Sequence, residues 1–165
     1  MEQIPILGVA GWSGSGKTTL IEALLPELRR RGLRTAVIKH DGHDFAIDQQ
    51  GKDSWRFARS GAQVVAVVSQ TKCAVMDYRP VSFAETVSRI KDVDIIIAEG
   101  WHSEAENRIA VYRSDSGSPL KAPARDCLAV VSDVPLDTGG TPLFPLGDAG
   151  PMADFLISKL PEKKI

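Results

Sequence analysis

Apolar residues change their spacing along the chain, and each change marks a new element. Ile4-Pro5-Ile6-Leu7-Gly8-Val9-Ala10 is a continuous apolar run, as expected of a strand covered on both faces. Beyond it Leu20, Ile21, Leu24, Leu25 and Leu28 recur at helical spacing. They predict a helix from about Lys17 to Arg31, stopped at Gly32, a good left-handed C-terminal residue. Pro26 falls inside this helix and should kink it or remove one hydrogen bond. Thr35-Ala36-Val37-Ile38-Lys39 reads as a second strand. The polar segment from His40 to Lys52 is too long and too charged for a simple turn.

Ser54 to Ser60 predicts a short helix ended by Gly61. The β-rich runs Val64 to Ser69 and Cys73 to Tyr78, separated by Gln70-Thr71-Lys72, predict a hairpin. Ser82 to Lys91 is amphipathic, with Phe83, Val87 and Ile90 on one helical face. Asp94 to Glu99, Arg108 to Tyr112 and Leu128 to Ser132 supply three more strands. Ser114 to Pro123 is rich in Ser, Gly and Pro and predicts a flexible loop. A last helix is expected from about Pro151 to Leu160, with Pro161 to Ile165 fraying. Strands alternating with helices imply an α/β fold whose mostly parallel sheet is flanked by helices, with the hairpin as an addition. A chain of 165 residues suits one such domain, residues 1–165.

Composition narrows the class. Hydrophobic residues make up 43% and charged residues 25%, which is ordinary for a globular chain. The net charge of −1 argues against a nucleic-acid surface built on bulk positive charge. No run approaches the roughly 18 apolar residues of a membrane span, and no charged leader precedes the first strand. A cytoplasmic location without membrane contact is the expectation. Cys73 and Cys127 form no CxxC pair and lie in apolar stretches, which predicts buried free thiols. Arg29, Arg30 and Arg31 end the first helix, where positive charge suits the dipole, and read as a solvated face.

Between the first strand and the first helix stands Gly11-Trp12-Ser13-Gly14-Ser15-Gly16-Lys17-Thr18, a complete GxxxxGK[ST] loop in the strand–loop–helix context that gives it a mechanism. Backbone N–H groups from Ser13 to Thr19 converge on phosphate oxygens, and the helix N-terminus adds about half a positive charge. Lys17 reaches the β- and γ-phosphates, and the Thr18 hydroxyl ligates Mg²⁺. The expected architecture is therefore a three-layer P-loop NTPase fold.

Other candidate residues follow from strand ends, because ligands of open α/β sheets lie at the carboxyl ends of strands. Asp94-Ile95-Ile96-Ile97-Ala98-Glu99-Gly100 places Glu99 toward the loop, as a Mg²⁺ ligand or a group orienting water, and Asp94 at the far end. His40, His43, Asp44, Asp48, Lys52 and Asp53 follow the second strand and suggest a switch-type loop over the γ-phosphate. His40, His43 and Asp44 also have spacing compatible with a metal site, though hydrogen bonding or exposure is commoner for such histidines. Asp133 ends another strand and can accept the ring N–H and exocyclic amine of guanine. An Asp before Pro135 is as readily a turn residue.

Together these residues resemble the molybdopterin-guanine dinucleotide biosynthesis adaptor family, MobB. The matching pieces are Trp12 to Leu20, Val37-Ile38-Lys39-His40, His43-Asp44-Phe45, Asp48, Gly51-Lys52-Asp53-Ser54, Glu99-Gly100-Trp101 and Val131 to Leu136. The likeness runs from Ile6 to Leu136. Two positions depart from the family pattern, Gly42 in place of the first of paired histidines and His102 in place of a lysine. The resemblance implies a GTP-binding homodimer in molybdenum-cofactor biosynthesis. Its partner would be the molybdopterin guanylyltransferase that joins GMP to molybdopterin, with molybdopterin itself a further ligand and GTP hydrolysis slow at most. A P-loop small-metabolite or nucleoside kinase is the alternative. Such a kinase needs a lid carrying phosphoryl-clamping arginines, whereas Ser114 to Arg125 offers only Lys121 and Arg125 as basic residues.

Overall fold

The computed structural model describes residues 3–101 and 103–160. His102 and the expected frayed end at 161–165 lie outside the described residues. In chain order the elements are β1 (Ile6–Ala10), α1 (Lys17–Arg30), β2 (Thr35–Lys39), α2 (Asp53–Arg59), β3 (Val64–Val68), β4 (Cys73–Asp77), α3 (Phe83–Ser88), β5 (Ile95–Glu99), β6 (Asn107–Tyr112), β7 (Ala129–Ser132), β8 (Leu143–Pro145) and α4 (Gly150–Lys159). They group into two compact units, Met1–His40 with Ile90–Ile165, and Asp41–Arg89.

In the larger unit six strands form one parallel sheet in the order β2-β5-β1-β6-β7-β8. β1 is central, with Gly8 opposite Ala98 on one side and Arg108 on the other. Continuous apolar runs suit such positions, and Ile95 to Ala98 and Ile109 to Val111 are all buried. α1 lays Leu20, Ile21, Leu24 and Leu28 against Leu7, Val9, Ile97 and Val111 in the same core, which α4 joins through Met152, Ala153 and Leu156. Each buried leucine stabilises this face by roughly 1.5–3 kcal/mol.

α1 ends as its sequence requires. Gly32 has φ +82°, its N–H bonds the Arg29 carbonyl at 2.9 Å, and the Leu33 N–H bonds that of Leu28 at 3.0 Å. This paired arrangement satisfies the last carbonyls. The helix continues through Pro26, whose missing N–H leaves the Glu22 carbonyl without its helical donor. The arginine cluster departs from expectation at its last member. Arg29 and Arg30 are exposed, but Arg31 pairs with Glu27 and donates to Asp154 Oδ1 at 2.7 Å and the Gly150 carbonyl at 3.2 Å, binding α1 to α4.

Strand β8 was not anticipated, because Pro142 and Pro145 flank a very short apolar run. An edge strand tolerates proline, whose missing donor then faces away from the ladder. Here Val131 pairs with Phe144, and the Val130 N–H bonds the Pro142 carbonyl at 2.8 Å. The segment expected to be a flexible loop is partly ordered: Ser114–Ser116 forms a single 3₁₀ turn, and the Trp12 indole N–H donates to the Pro119 carbonyl at 2.9 Å.

In the smaller unit, α2 ends before Gly61 at φ +107°. β3 and β4 then pair antiparallel as the predicted hairpin, in register from Val64 opposite Asp77 to Val68 opposite Cys73. They form a sheet of their own, so their apolar side chains are not drawn into the parallel sheet and only Val65 is buried. For the same reason Cys73 is exposed, contrary to the expectation of a buried thiol; Cys127 is half-buried, and both are free. α3 is shorter than its periodicity suggested. The Ser82 hydroxyl caps it by accepting from the Glu85 N–H at 3.1 Å, and it ends at Ser88. Glu85 sits between Arg79 and Arg89, which hold its carboxyl down at about 2, chiefly through the Arg79 hydrogen bond.

Candidate nucleotide-binding site

The loop from Gly11 to Gly16 leaves the carboxyl end of the central strand and enters α1 at Lys17. Gly14 and Gly16 have φ of +76° and +95°, a conformation that side chains disfavour. Gly11 is needed for close approach: a Cβ there would lie 2.3 Å from Ser15 Oγ and 2.9 Å from the Val111 carbonyl oxygen. The N-terminus of α1 has no side-chain cap and no acidic residue in its first turn. Its unpaired N–H groups and positive dipole end are therefore left for an anion. The Ser15 hydroxyl is buried without a hydrogen-bond partner, a further polar group at the loop left unsatisfied by the protein. Ser13, Thr18 and Thr19 are exposed.

Lys17 is held on the loop itself, donating to the Trp12 carbonyl at 2.8 Å. Burial lowers its pKa from the ordinary lysine value; Glu99 opposes that shift, and Lys121 and Lys39 add to it. One carboxylate and two further ammonium groups thus act on the Lys17 ammonium. Trp12 is central to the arrangement, since Lys121 Nζ also lies 5.2 Å from its ring centroid, within cation–π range.

Glu99 ends β5 beside β1, in register with Val9 and with Lys39 of β2. Asp94, at the opposite end as expected, accepts the Arg34 N–H at 2.6 Å. Beyond Glu99 the chain turns at Gly100, whose φ is +92°. A Cβ on Gly100 would come within 2.4 Å of the His40 carbonyl oxygen. The His40 N–H bonds the Glu99 carbonyl at 2.8 Å, and its ring stacks on Trp101 at 4.4 Å. The segments Lys39-His40 and Glu99-Gly100-Trp101, far apart in sequence, are thereby locked together. Thr18 on the first turn of α1 and Glu99 at the end of β5 carry oxygen donors, the donor type that suits Mg²⁺.

The remaining switch-loop candidates belong to the smaller unit, where their contacts are local. His43 is 94% exposed, 3.7 Å from Asp41. Asp44 accepts its neighbour's N–H, Asp48 accepts the Ser54 hydroxyl at 2.9 Å, and Asp53 lies 3.6 Å from Arg56. Lys52 precedes α2 as its N-terminal boundary residue. Among the described residues no group of three metal-ligating side chains is gathered, and His40 is engaged with Trp101.

Asp133 follows β7 and has both carboxylate oxygens partly engaged. Oδ1 accepts the Ser114 N–H and Oδ2 the Ser114 hydroxyl, each at 2.8 Å. The Ser114 backbone bond, then its hydroxyl, hold the Asp133 carboxyl below the usual range. The Asp133 backbone N–H adds to these, so only part of the carboxylate's accepting capacity is left for a ligand. Sequence reasoning overlooked two neighbours of the loop, Arg113 and Leu146. A Cβ on Gly16 would lie 3.5 Å from Arg113 Nη2 and 2.9 Å from Leu146 Cδ2. Arg113 follows the carboxyl end of β6, so the rule that singled out Glu99 and Asp133 also applied to it.

The family model described as molybdopterin guanine dinucleotide synthesis protein B matches residues 6–133. This chain belongs to that family. Molybdopterin-guanine dinucleotide biosynthesis adapter proteins of Haemophilus influenzae and Escherichia coli are each 36% identical to it over 93% of its length, and it covers 88% and 92% of theirs. A crystal structure of a molybdopterin-guanine biosynthesis protein B superposes with a TM-score of 0.71 at 33% identity, over 94% of this chain and 99% of that one. The family resemblance and the sheet-plus-hairpin fold expected from the sequence are both borne out. Membership of the family also favours nucleotide binding at the glycine loop. Among the described residues no helix is long and apolar enough to cross a membrane.

Proposed function

We propose that this chain is a GTP-binding adaptor that assists attachment of GMP to molybdopterin in the cytoplasm, and that it works as a homodimer beside a molybdopterin guanylyltransferase. The observation that carries this reading is the convergence of Lys17, Glu99 and the uncapped α1 N-terminus at adjacent strand ends, in a member of this family. Lys17 takes the β- and γ-phosphates, while Thr18 and Glu99 would hold Mg²⁺, which when bound would supply positive charge against the phosphates. Turnover is slow, because Lys17 is the only cationic side chain assigned to the γ-phosphate and an added arginine there is worth roughly 10³–10⁵ in rate. The family match favours this reading over a kinase. Pulldown of the native protein from cell extract, with mass spectrometry of partner and small molecule, tests it. A nucleotidyltransferase and a pterin support the adaptor; a stoichiometric phosphorylated metabolite supports the kinase.

Guanine selectivity is assigned to Asp133. Asp133→Asn exchanges an acceptor for a donor, so GTP binding weakens by about 2 kcal/mol, as for a lost charged hydrogen bond, and xanthosine triphosphate binding improves. Competition titrations of the two nucleotides read the ratio directly, and an unchanged ratio places base recognition elsewhere.

The homodimer is assigned to the hairpin. Val64, Val68 and Val75 are 55%, 73% and 60% exposed. They share one face with Ala66 and Cys73, by the pairings Ala66 with Val75 and Val68 with Cys73, and with Asp77 opposite Val64 at one end. An apolar two-stranded face with free edges is a pairing surface. Light scattering at micromolar concentration is expected to show a dimer for the unsubstituted protein and a monomer for Val68→Lys with Val75→Lys. A monomer in both cases removes the assignment.

A further inference from the structure

Arg113 is the group near the loop that the proposed function leaves unused. It follows β6 in extended backbone, immediately before the Ser114–Ser116 turn. Its Nε is shielded from solvent and has no hydrogen-bond partner, and its guanidinium makes no ion pair with any described residue. Its Nη2 lies beside Gly16, 3.5 Å from where a Cβ there would stand. Asp133 is within electrostatic reach, but its oxygens are turned to Ser114. A half-buried guanidinium that no described carboxylate pairs is left as a cation able to donate a charge-assisted hydrogen bond to an anionic ligand.

The sheet order says which anion. β6 lies between β1, which carries the phosphate loop, and β7, which leads to Asp133. Glu99 lies on the other side of β1, on β5. A nucleotide with its terminal phosphates at Lys17 and its base at Asp133 must cross the carboxyl end of β6. The part that crosses there is the α-phosphate with its ribose. We propose that the terminal nitrogens of Arg113 bind the α-phosphate of the guanine nucleotide, a subsite separate from the Lys17 contact to the β- and γ-phosphates; this rests on the glycine-loop reading above. Arg113 then stabilises GTP and GDP equally, and the nucleotide supplies an anionic acceptor for the terminal nitrogens while Nε stays shielded.

Titration calorimetry with GTP, GDP and the two α-phosphorothioate diastereomers of GDP tests the assignment on the full chain. Arg113→Ala is expected to weaken GTP and GDP by the same factor, about 10- to 100-fold, as for a lost charge-assisted hydrogen bond. The unsubstituted protein is expected to discriminate between the diastereomers, and Arg113→Ala to abolish that discrimination. Lys17→Ala should weaken GTP more than GDP and keep that discrimination. Arg113→Lys retains stem and charge, so it folds and falls between the two. Unchanged affinity in Arg113→Ala or Arg113→Lys overturns the proposal, as does a loss confined to GTP or diastereomer discrimination surviving without Arg113. If the unsubstituted protein binds no guanine nucleotide, the glycine-loop reading falls, and this proposal with it.

Discussion

Lys17→Ala is expected to remove most of the triphosphate affinity while leaving the fold intact. The ammonium is anchored by one hydrogen bond to the Trp12 carbonyl, and its side chain belongs to no core cluster, so thermal unfolding should barely change. Affinity should fall by roughly 2–3 kcal/mol, the worth of a charge-assisted contact. Lys39 and Lys121 act on the same region electrostatically, but neither stands on the first turn of α1 and neither replaces it. Glu99→Gln separates binding from turnover. It keeps shape and hydrogen bonding and reduces negative charge beside Mg²⁺, so GTP still binds while hydrolysis slows. Titration with GTP alongside phosphate release for the three proteins reads both effects. Hydrolysis at the wild-type rate by Glu99→Gln would remove Glu99 from the site.

Gly100→Ala should be the most disruptive single-methyl change at the site. A left-handed residue with a Cβ costs about 1–2 kcal/mol, and relieving the 2.4 Å approach to the His40 carbonyl costs roughly 1–3 kcal/mol more. For a chain of this size that is a fall in Tm of about 4–20 °C. The same displacement loosens the His40–Trp101 stack and the register of Lys39 with Glu99. Nucleotide affinity is therefore expected to fall together with Tm. Gly117, with φ +63° and open space around its Cβ, serves as the comparison: Gly117→Ala should lower Tm by no more than the conformational part. Equal effects at the two positions would mean that the His40 contact yields easily.

Strand β1, helix α1 and the loop between them were legible because each rests on local chemistry: a run of buried strand length, leucines at helical spacing, and glycines where N–H groups must converge. Glu99 was legible for a different reason, since its place depends only on strand direction. The lock between Gly100, His40 and Trp101 was not legible, because it depends on β5 lying next to β2, a tertiary fact that no local pattern encodes. Arg113 was within reach of the same strand-end rule as Glu99 and was passed over because only acids were sought there. Sheet order is what adds that it lies between the strand ends of the glycine loop and of Asp133. Cys73 was misread because apolar neighbours imply burial only when a second layer covers them, and β3 and β4 pair with each other alone.

The position of β5 also governs the order in which the chain can assemble. It lies between β1 and β2 in space, yet residues 40–94 intervene between β2 and β5 in sequence. During synthesis β1, α1 and β2 emerge first but have no ladder to each other; the strand that joins them arrives only after the whole of the smaller unit. Pairing at such separation carries a loop-closure entropy that slows folding. Until then the apolar edges of β1 and β2 stand unpaired, and a ribosome-bound chain ending near residue 90 exposes them to aggregation.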